Sequence, residues 1–147
     1  MSTEDDIRSL ISLLSEGAKY EIRTLNADDL SRLQCKLAVL RAKLSDEAAD
    51  AVYDSNYATI YRKFQHAEKF NALKALFKEQ EEKITDGVAE KKTEEMIFEI
   101  RKDEMEKRRR ADKLTGLLDS TDKMVFVVHD RLRQLDAEFR QAGRQEG

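Results

Sequence analysis

The chain has 147 residues, a formal net charge of −3, five glycines and no proline. Because proline breaks helices and glycine weakens them, this composition favours long helices. Charged residues make up 39% of the chain and hydrophobic residues 40%, so enough apolar surface is present for folding and disorder is not expected. No apolar run of 18 residues occurs, which excludes a membrane-spanning helix.

The first 45 residues predict short helices. Residues 3–14 carry an amphipathic pattern that Ser2 or Thr3 caps, and Gly17 is a plausible stop. A second helix is expected to begin near Asn26, whose side chain can accept a hydrogen bond from the backbone that follows. It is expected to end at Ser45-Asp46. Its leucines repeat at the spacing of a coiled-coil seam: Leu30, Leu33, Leu37, Leu40 and Leu44.

Residues 46–85 predict a third helix. Its first apolar stripe has the alternating four- and three-residue spacing of a coiled coil, and it consists of Tyr53, Tyr57, Ile60, Phe64 and Ala67. The stripe then slips by one three-residue step and resumes at Phe70, Leu73, Phe77, Gln80 and Ile84. Asp86-Gly87 is the clearest turn signal in the chain, so the main hairpin is predicted there.

The strongest pattern follows this turn. Spacings of three and four residues continue without a slip from Ile97 to Ala142, which predicts one helix over about residues 93–142 that ends at Gly143. A single helix cannot bury such a seam alone. We therefore expect it to pack both on the 46–85 helix and on another copy of the chain, through Ile97, Ile100, Leu114, Leu118, Val125, Val128, Leu132, Leu135 and Phe139.

The predicted fold class is therefore all-α. Short N-terminal helices over residues 1–45 precede a long antiparallel helical hairpin, or coiled coil, over residues 46–147. The two parts form a single functional domain, and the chain is expected to be an oligomeric helical bundle.

The sequence predicts no catalytic site, no metal site and no cofactor. His66 and His129 lie on different predicted helices, and neither has a cysteine or carboxylate at a metal-ligand spacing in the sequence. No glycine-rich phosphate loop is present. Cys35 lies within the leucine repeat, where a small apolar packing role is expected. Since one cysteine cannot form an internal disulfide and the N terminus lacks a signal-peptide pattern, a cytoplasmic location is expected.

Charge is unevenly distributed along the chain. Residues 57–78 contain five basic residues against Glu68 alone, and residues 101–113 contain seven basic against four acidic residues. Cations interleaved with aromatic rings favour single-stranded nucleic acid, since cations neutralise phosphates and rings stack on bases. The alternative is that the rings pack in the core and the cations pair with neighbouring carboxylates. The candidate nucleic-acid-binding residues are Tyr61, Arg62, Lys63, Lys69, Lys74, Lys78, Lys107, Arg108, Arg109 and Arg110.

Several segments together resemble the UvsY-like group of bacteriophage recombination mediators, over about residues 29–142. They are the leucine repeat at 33–44, the basic Tyr-containing helix at 57–64, the Thr-Glu start at 92–95, Arg101-Lys102-Asp103-Glu104, and the segment 114–119 leading to Val128 and Arg131-Leu132. A basic DNA-contact segment of that family, of the Lys-Ala-Arg-Leu type, is matched here by Leu73-Lys74-Ala75-Leu76, which lacks the arginine.

The resemblance implies a non-enzymatic homo-oligomer in the cytoplasm, or in the host cytoplasm if a phage encodes the chain. It also implies binding to single-stranded DNA, and help in loading a RecA-like recombinase against a single-strand-binding protein. Two alternatives remain open from the residues. The chain is either a structural or scaffolding coiled coil without nucleic acid, as in virion assembly or chaperone-like work, or an acidic DNA mimic that inhibits a nuclease.

Overall fold

The computed structural model describes residues 22–145, together with Asp5 and Ser9. Over these residues the fold is all-α, as predicted, with no β-strand. Helix α1 spans Ala27–Glu79, α2 spans Asp86–Met96 and α3 spans Phe98–Gln145. The predicted helix at residues 3–14 and its stop at Gly17 lie, apart from Asp5 and Ser9, outside the described residues. None of the described helices is both long and apolar enough to cross a membrane.

Helix α1 begins as the sequence predicts. The Oδ1 atom of Asn26 accepts a hydrogen bond from the backbone N–H of Asp29 at 2.8 Å, which satisfies one of the free donors at the helix start. The predicted break at Ser45-Asp46 is wrong, because α1 continues through it. The physical reason is the register: after Leu44, buried Ala51 and Ala58 follow at seven-residue steps, so the same helix face stays packed.

Helix α1 ends in a Schellman motif. The N–H of Glu82 donates to the carbonyl of Phe77 at 3.0 Å, and the N–H of Glu81 donates to that of Lys78 at 3.2 Å. Glu81 takes the left-handed conformation that this motif requires, with φ of 56°. The predicted turn at Asp86-Gly87 is therefore wrong, since the chain reverses over residues 80–85.

Asp86 and Gly87 instead form the first turn of α2. The Oγ1 atom of Thr85 accepts a hydrogen bond from the N–H of Val88 at 3.3 Å and caps this helix. The predicted continuous helix over 93–142 is interrupted at one residue, Ile97, which ends α2 with φ of −101° and ψ of 15°. Helix α3 then runs past the predicted stop at Gly143, because that glycine does not adopt the positive φ of a helix cap.

The chain divides into two compact units, each of which contains an antiparallel helix pair. In the first unit, residues 27–48 of α1 lie with residues 114–145 of α3, and Arg41 forms an ion pair with Asp122. The buried residues of this unit are Ile22, Leu30, Leu37, Leu44, Ala48, Leu114, Thr121, Met124 and Val128. The leucine repeat predicted from the sequence therefore forms core.

In the second unit, residues 49–79 of α1 lie with α2 and residues 98–113 of α3. Small side chains dominate the buried part of α1, so the helix backbones can approach closely. The buried residues of this unit are Ala51, Ser55, Ala58, Leu73, Ala89, Thr93, Ile97, Glu104 and Ala111. On α3 the predicted seam is confirmed over 97–135, where each of its positions is buried or half-buried.

The left-handed Glu81 generates a stability prediction. A side chain other than glycine at positive φ costs on the order of 1 kcal/mol, so Glu81→Gly should raise the Tm by roughly 2–4 °C in a chain of this size. Glu82→Gly is the matched control, because Glu82 has no positive φ and glycine there only adds freedom to the unfolded chain. Thermal melts followed by circular dichroism measure both, and a Tm for Glu81→Gly at or below wild type would contradict the assignment.

Candidate nucleic-acid interface

The ring-bearing face of α1, which consists of Tyr53, Tyr57, Ile60 and Phe64, points away from the core. These four side chains are 59–71% exposed. The expectation that they form the seam packed on the long helix is wrong. The face that packs is the one that carries Ala51, Ser55 and Ala58, because it continues the seven-residue register of the buried leucines.

Tyr61 lies beside this ring-bearing face and is 44% exposed. Its ring is parallel to that of Tyr57, with 6.5 Å between the ring centroids and 9° between the planes. The i, i+4 spacing of the two tyrosines on one helix produces this alignment. The two rings therefore lie side by side on the exposed surface of α1.

Four of the ten candidate nucleic-acid-binding residues already have carboxylate partners. Arg62 donates from Nε to Oε2 of Glu104 at 2.6 Å, and Arg108 donates from Nη2 to the other oxygen of Glu104 at 3.2 Å. Lys107 pairs with Asp103 at 3.1 Å, and Lys74 pairs with Asp86. Their charges are therefore neutralised locally, and Arg62 in particular is largely buried.

The other five cations have no ion pair within the part of the chain that the structure describes. They are exposed, and they divide between two helices: Lys63, Lys69 and Lys78 on α1, and Arg109 and Arg110 on α3. An exposed cation without a local carboxylate is the kind of group that a phosphate can neutralise with release of counterions. These five cations and Tyr61 are therefore exposed without a local ion pair, and a role of any of the ten residues in binding nucleic acid stays a prediction.

A basic stripe on α3 was not found from the sequence. Phe98, Lys102, Met105, Arg109 and Lys113 recur at steps of three and four residues, so they share one side of the helix. All five are exposed, and Phe98 and Met105 are each 63% exposed. The three cations of this basic stripe have no ion pair among the described residues. The three- and four-residue spacing is present in the sequence, but the prediction was based on the consecutive charges Lys107–Arg110 instead.

The residues predicted to join copies of the chain are placed as follows. Ile97, Leu114 and Val128 are buried within the chain. Ile100, Leu118, Val125, Leu132 and Leu135 are half-buried. Phe139 is 81% exposed. Most of this set therefore packs within its own unit, and a role in assembly stays a prediction.

A cluster of polar side chains, which consists of His66, Glu90, Glu94 and Arg101, lies where α1 meets α2. The Nε2 atom of His66 is 2.7 Å from Oε1 of Glu90 and 3.7 Å from Oε1 of Glu94. Arg101 donates two hydrogen bonds to Glu94: Nε donates to Oε2, and Nη2 donates to Oε1 at 2.6 Å. This contact lowers the pKa of the Glu94 carboxyl. The sequence indicated no ligand for His66, because these glutamates are 24 and 28 residues away along the chain.

Comparison of the chain with protein-family models, with curated proteins and with solved structures finds no match. The function must therefore be inferred from the exposed rings, the unpaired cations and the polar cluster described above.

The Arg62–Glu104 pair generates a second prediction. Glu104 occupies a core position of the α3 seam and is buried, so Glu104→Ala should destabilise the fold by about 1.5–3 kcal/mol by leaving Arg62 without its acceptor. Replacing both, with Arg62→Met and Glu104→Ala, should cost less than the sum of the single changes Arg62→Met and Glu104→Ala, since neither charge is left unpaired. Urea unfolding of the four proteins measures this cycle. Additive costs would show that the two side chains do not interact.

Proposed function

We propose that this chain is a non-enzymatic, self-associating protein that binds single-stranded DNA and acts as a recombination mediator. One observation carries the DNA-binding part: exposed cations without carboxylate partners alternate with exposed apolar side chains along the basic stripe of α3. Such a surface offers phosphate neutralisation and base contact at once. Arg109 is the residue that this stripe shares with the predicted set.

The spacing of the basic stripe suits a flexible strand rather than a duplex. From Phe98 to Lys113 the helix rises about 22 Å, which is the length of a few extended nucleotides. Lys102, Arg109 and Lys113 would contact phosphates, while Phe98 and Met105 offer apolar surface to the bases between them. No sequence preference follows, because stacking and charge contacts are tolerant of base identity.

The ring-bearing face of α1 supports self-association. Exposed apolar patches of this kind mark interaction sites, and Tyr53, Tyr57, Ile60 and Phe64 retain the four- and three-residue spacing of a coiled-coil seam. In a parallel pair of α1 helices with this seam, Lys63 takes a g position and Glu68 the e position five residues on. Each Lys63 would therefore face a Glu68 of the other copy. This charge match favours a second copy of the chain as the occupant.

The two surfaces lie on sides of α1 and α3 that are turned away from the shared core of the second unit. Copies joined through the ring-bearing faces would therefore leave their basic stripes exposed. Repetition matters because several weak phosphate sites on one assembly bind a single strand more tightly than each does alone. Self-association and DNA binding are thus expected to reinforce each other.

The protein partners proposed for this function, a RecA-like recombinase and a single-strand-binding protein, rest on the resemblance to the UvsY-like mediators. The all-α hairpin and the cation-bearing surface are compatible with that role. The proposed setting is the cytoplasm. There the assembly would hold single-stranded DNA so that the recombinase can replace the single-strand-binding protein on it.

A scaffolding coiled coil without nucleic acid is the second candidate function. The observation that favours it is the ring-bearing face itself, because a heptad-spaced aromatic seam requires only a partner helix. The neutralisation of Arg62, Lys74, Lys107 and Arg108 by carboxylates also fits this candidate. The two candidates differ in whether the cations of the basic stripe have a measurable ligand.

The basic stripe generates a prediction for DNA binding. Replacing Lys102, Arg109 and Lys113 with Gln should weaken binding to a labelled single strand at low salt by at least tenfold. It should also reduce the slope of log affinity against log salt by about 2, since each phosphate contact on a single strand contributes about 0.7. Fluorescence anisotropy over a series of salt concentrations measures both quantities.

The matched control neutralises three exposed cations of the other unit, Lys36, Lys123 and Arg133, in the same way. It removes the same charge and should leave the affinity within about twofold of wild type. Equal losses in both triple variants would indicate a nonspecific effect of net charge. If the wild-type chain does not bind single-stranded DNA at low salt, the DNA-binding proposal is wrong and the scaffolding function is the candidate that remains.

The ring-bearing face generates a prediction for assembly. Tyr57→Ala with Phe64→Ala should reduce the particle mass measured by light scattering at a fixed protein concentration, because two of the exposed seam side chains are lost. Phe139→Ala is the control, as Phe139 is the exposed member of the set first predicted to join copies. If Phe139→Ala dissociates the assembly and the double variant does not, the contact lies on the end of α3 instead.

A further inference from the structure

The polar cluster between α1 and α2 brings three metal-ligating side chains together. The candidate ligand atoms of His66, Glu90 and Glu94 all lie within 4.8 Å of one another. Glu90 and Glu94 are one helical turn apart, so both project from the same side of α2. Buried Ala89 and Thr93 directly precede them and face the core of the unit, so Glu90 and Glu94 lie at the edge of this packed face.

The neighbours of this cluster hold two of its members in place. The His66 ring stacks on Phe70 with 6.1 Å between centroids and 11° between planes. Arg101 orients Glu94 by donating hydrogen bonds to both of its carboxylate oxygens. Each carboxylate oxygen has a second lone pair, so Arg101 can orient Glu94 without using up its capacity to bind an ion. Such outer contacts are usual around metal ligands.

We propose that His66, Glu90 and Glu94 bind one divalent transition-metal ion of the zinc type and thereby clamp α1 to α2. Ligands about 2.0–2.1 Å from a tetrahedral zinc ion are roughly 3.3 Å apart. The distances from Nε2 of His66 to the two glutamates, 2.7 and 3.7 Å, bracket that value. Small rotations of the glutamate side chains therefore suffice.

The chemistry of the three donors selects the ion. One imidazole nitrogen with two carboxylates suits zinc and cobalt, whereas magnesium and calcium prefer a shell of oxygens. Glu90 and Glu94 carry two negative charges, and Arg101 offsets one of them. The cluster therefore keeps a net negative charge when His66 is neutral, and this charge attracts a cation. A water molecule would complete the tetrahedron, since the cluster lies partly open to solvent.

The test uses the full chain, treated with EDTA and then titrated with zinc. We expect isothermal calorimetry to give one ion per chain and thermal melts to show a higher Tm with zinc, because an ion that binds only the folded state stabilises it. Cobalt should produce the strong visible absorption of a tetrahedral site. His66→Ala should abolish all three signals, whereas His129→Ala, which removes the exposed histidine of the other unit, should retain them.

Glu90→Gln provides a second variant that keeps the shape of the side chain, so a loss of zinc binding there is not a loss of folding. Circular dichroism without metal establishes that each variant is folded. A wild-type chain whose Tm does not respond to zinc overturns the proposal. So does zinc or cobalt binding of the same strength in wild type, His66→Ala and Glu90→Gln.

Discussion

Helix α1 carries two apolar stripes in its second half, and α3 can cover only one of them. The stripe that packs carries Ala51, Ser55 and Ala58, which let the helices approach closely. The stripe that stays exposed carries Tyr53, Tyr57, Ile60 and Phe64. The larger rings would bury more apolar area per residue, but the packed stripe continues the register of Leu30, Leu37 and Leu44.

This constraint also accounts for the charged residues of the core. Arg62 occupies the next position of the packed stripe, one turn beyond Ala58, and it meets the buried carboxylate of Glu104 on α3. The buried pair that results is worth little as net stability, because both charges lose their hydration. Its consequence is specificity, since a slip of α1 against α3 would leave Glu104 without Arg62. The charged Glu104 in the apolar α3 seam thus favours one alignment of α1 against α3.

The sequence predicts best where one helix alone determines the pattern. The seam from Ile97 to Leu135 and the cap at Asn26 depend only on local spacing and on one side chain, and both are confirmed. Which of the two stripes of α1 packs depends on the side chains of α3 that face it, so the pattern of α1 alone could not predict it. The chain reversal at residues 80–85 was missed because Glu81, not glycine, takes the left-handed position. Glu90 and Glu94 are distant from His66 along the chain, so local spacing could not predict that they lie beside it.

The surfaces left over after packing are of different kinds. Within the second unit, α1 carries the ring-bearing face together with the unpaired cations Lys63, Lys69 and Lys78, and α3 carries the basic stripe. The His66 cluster ties α1 to α2 near the chain reversal. A protein that only needed a stable hairpin would gain nothing from exposed rings, which cost solubility, or from unpaired cations on an otherwise acidic chain. In the proposed function the ring-bearing face of α1 binds a second copy and the basic stripe of α3 binds DNA, so one partner would bind without displacing the other. An ion at His66 would act on neither surface directly. It would instead fix the angle between α1 and α2, and so the direction in which α1 presents its rings to a second copy.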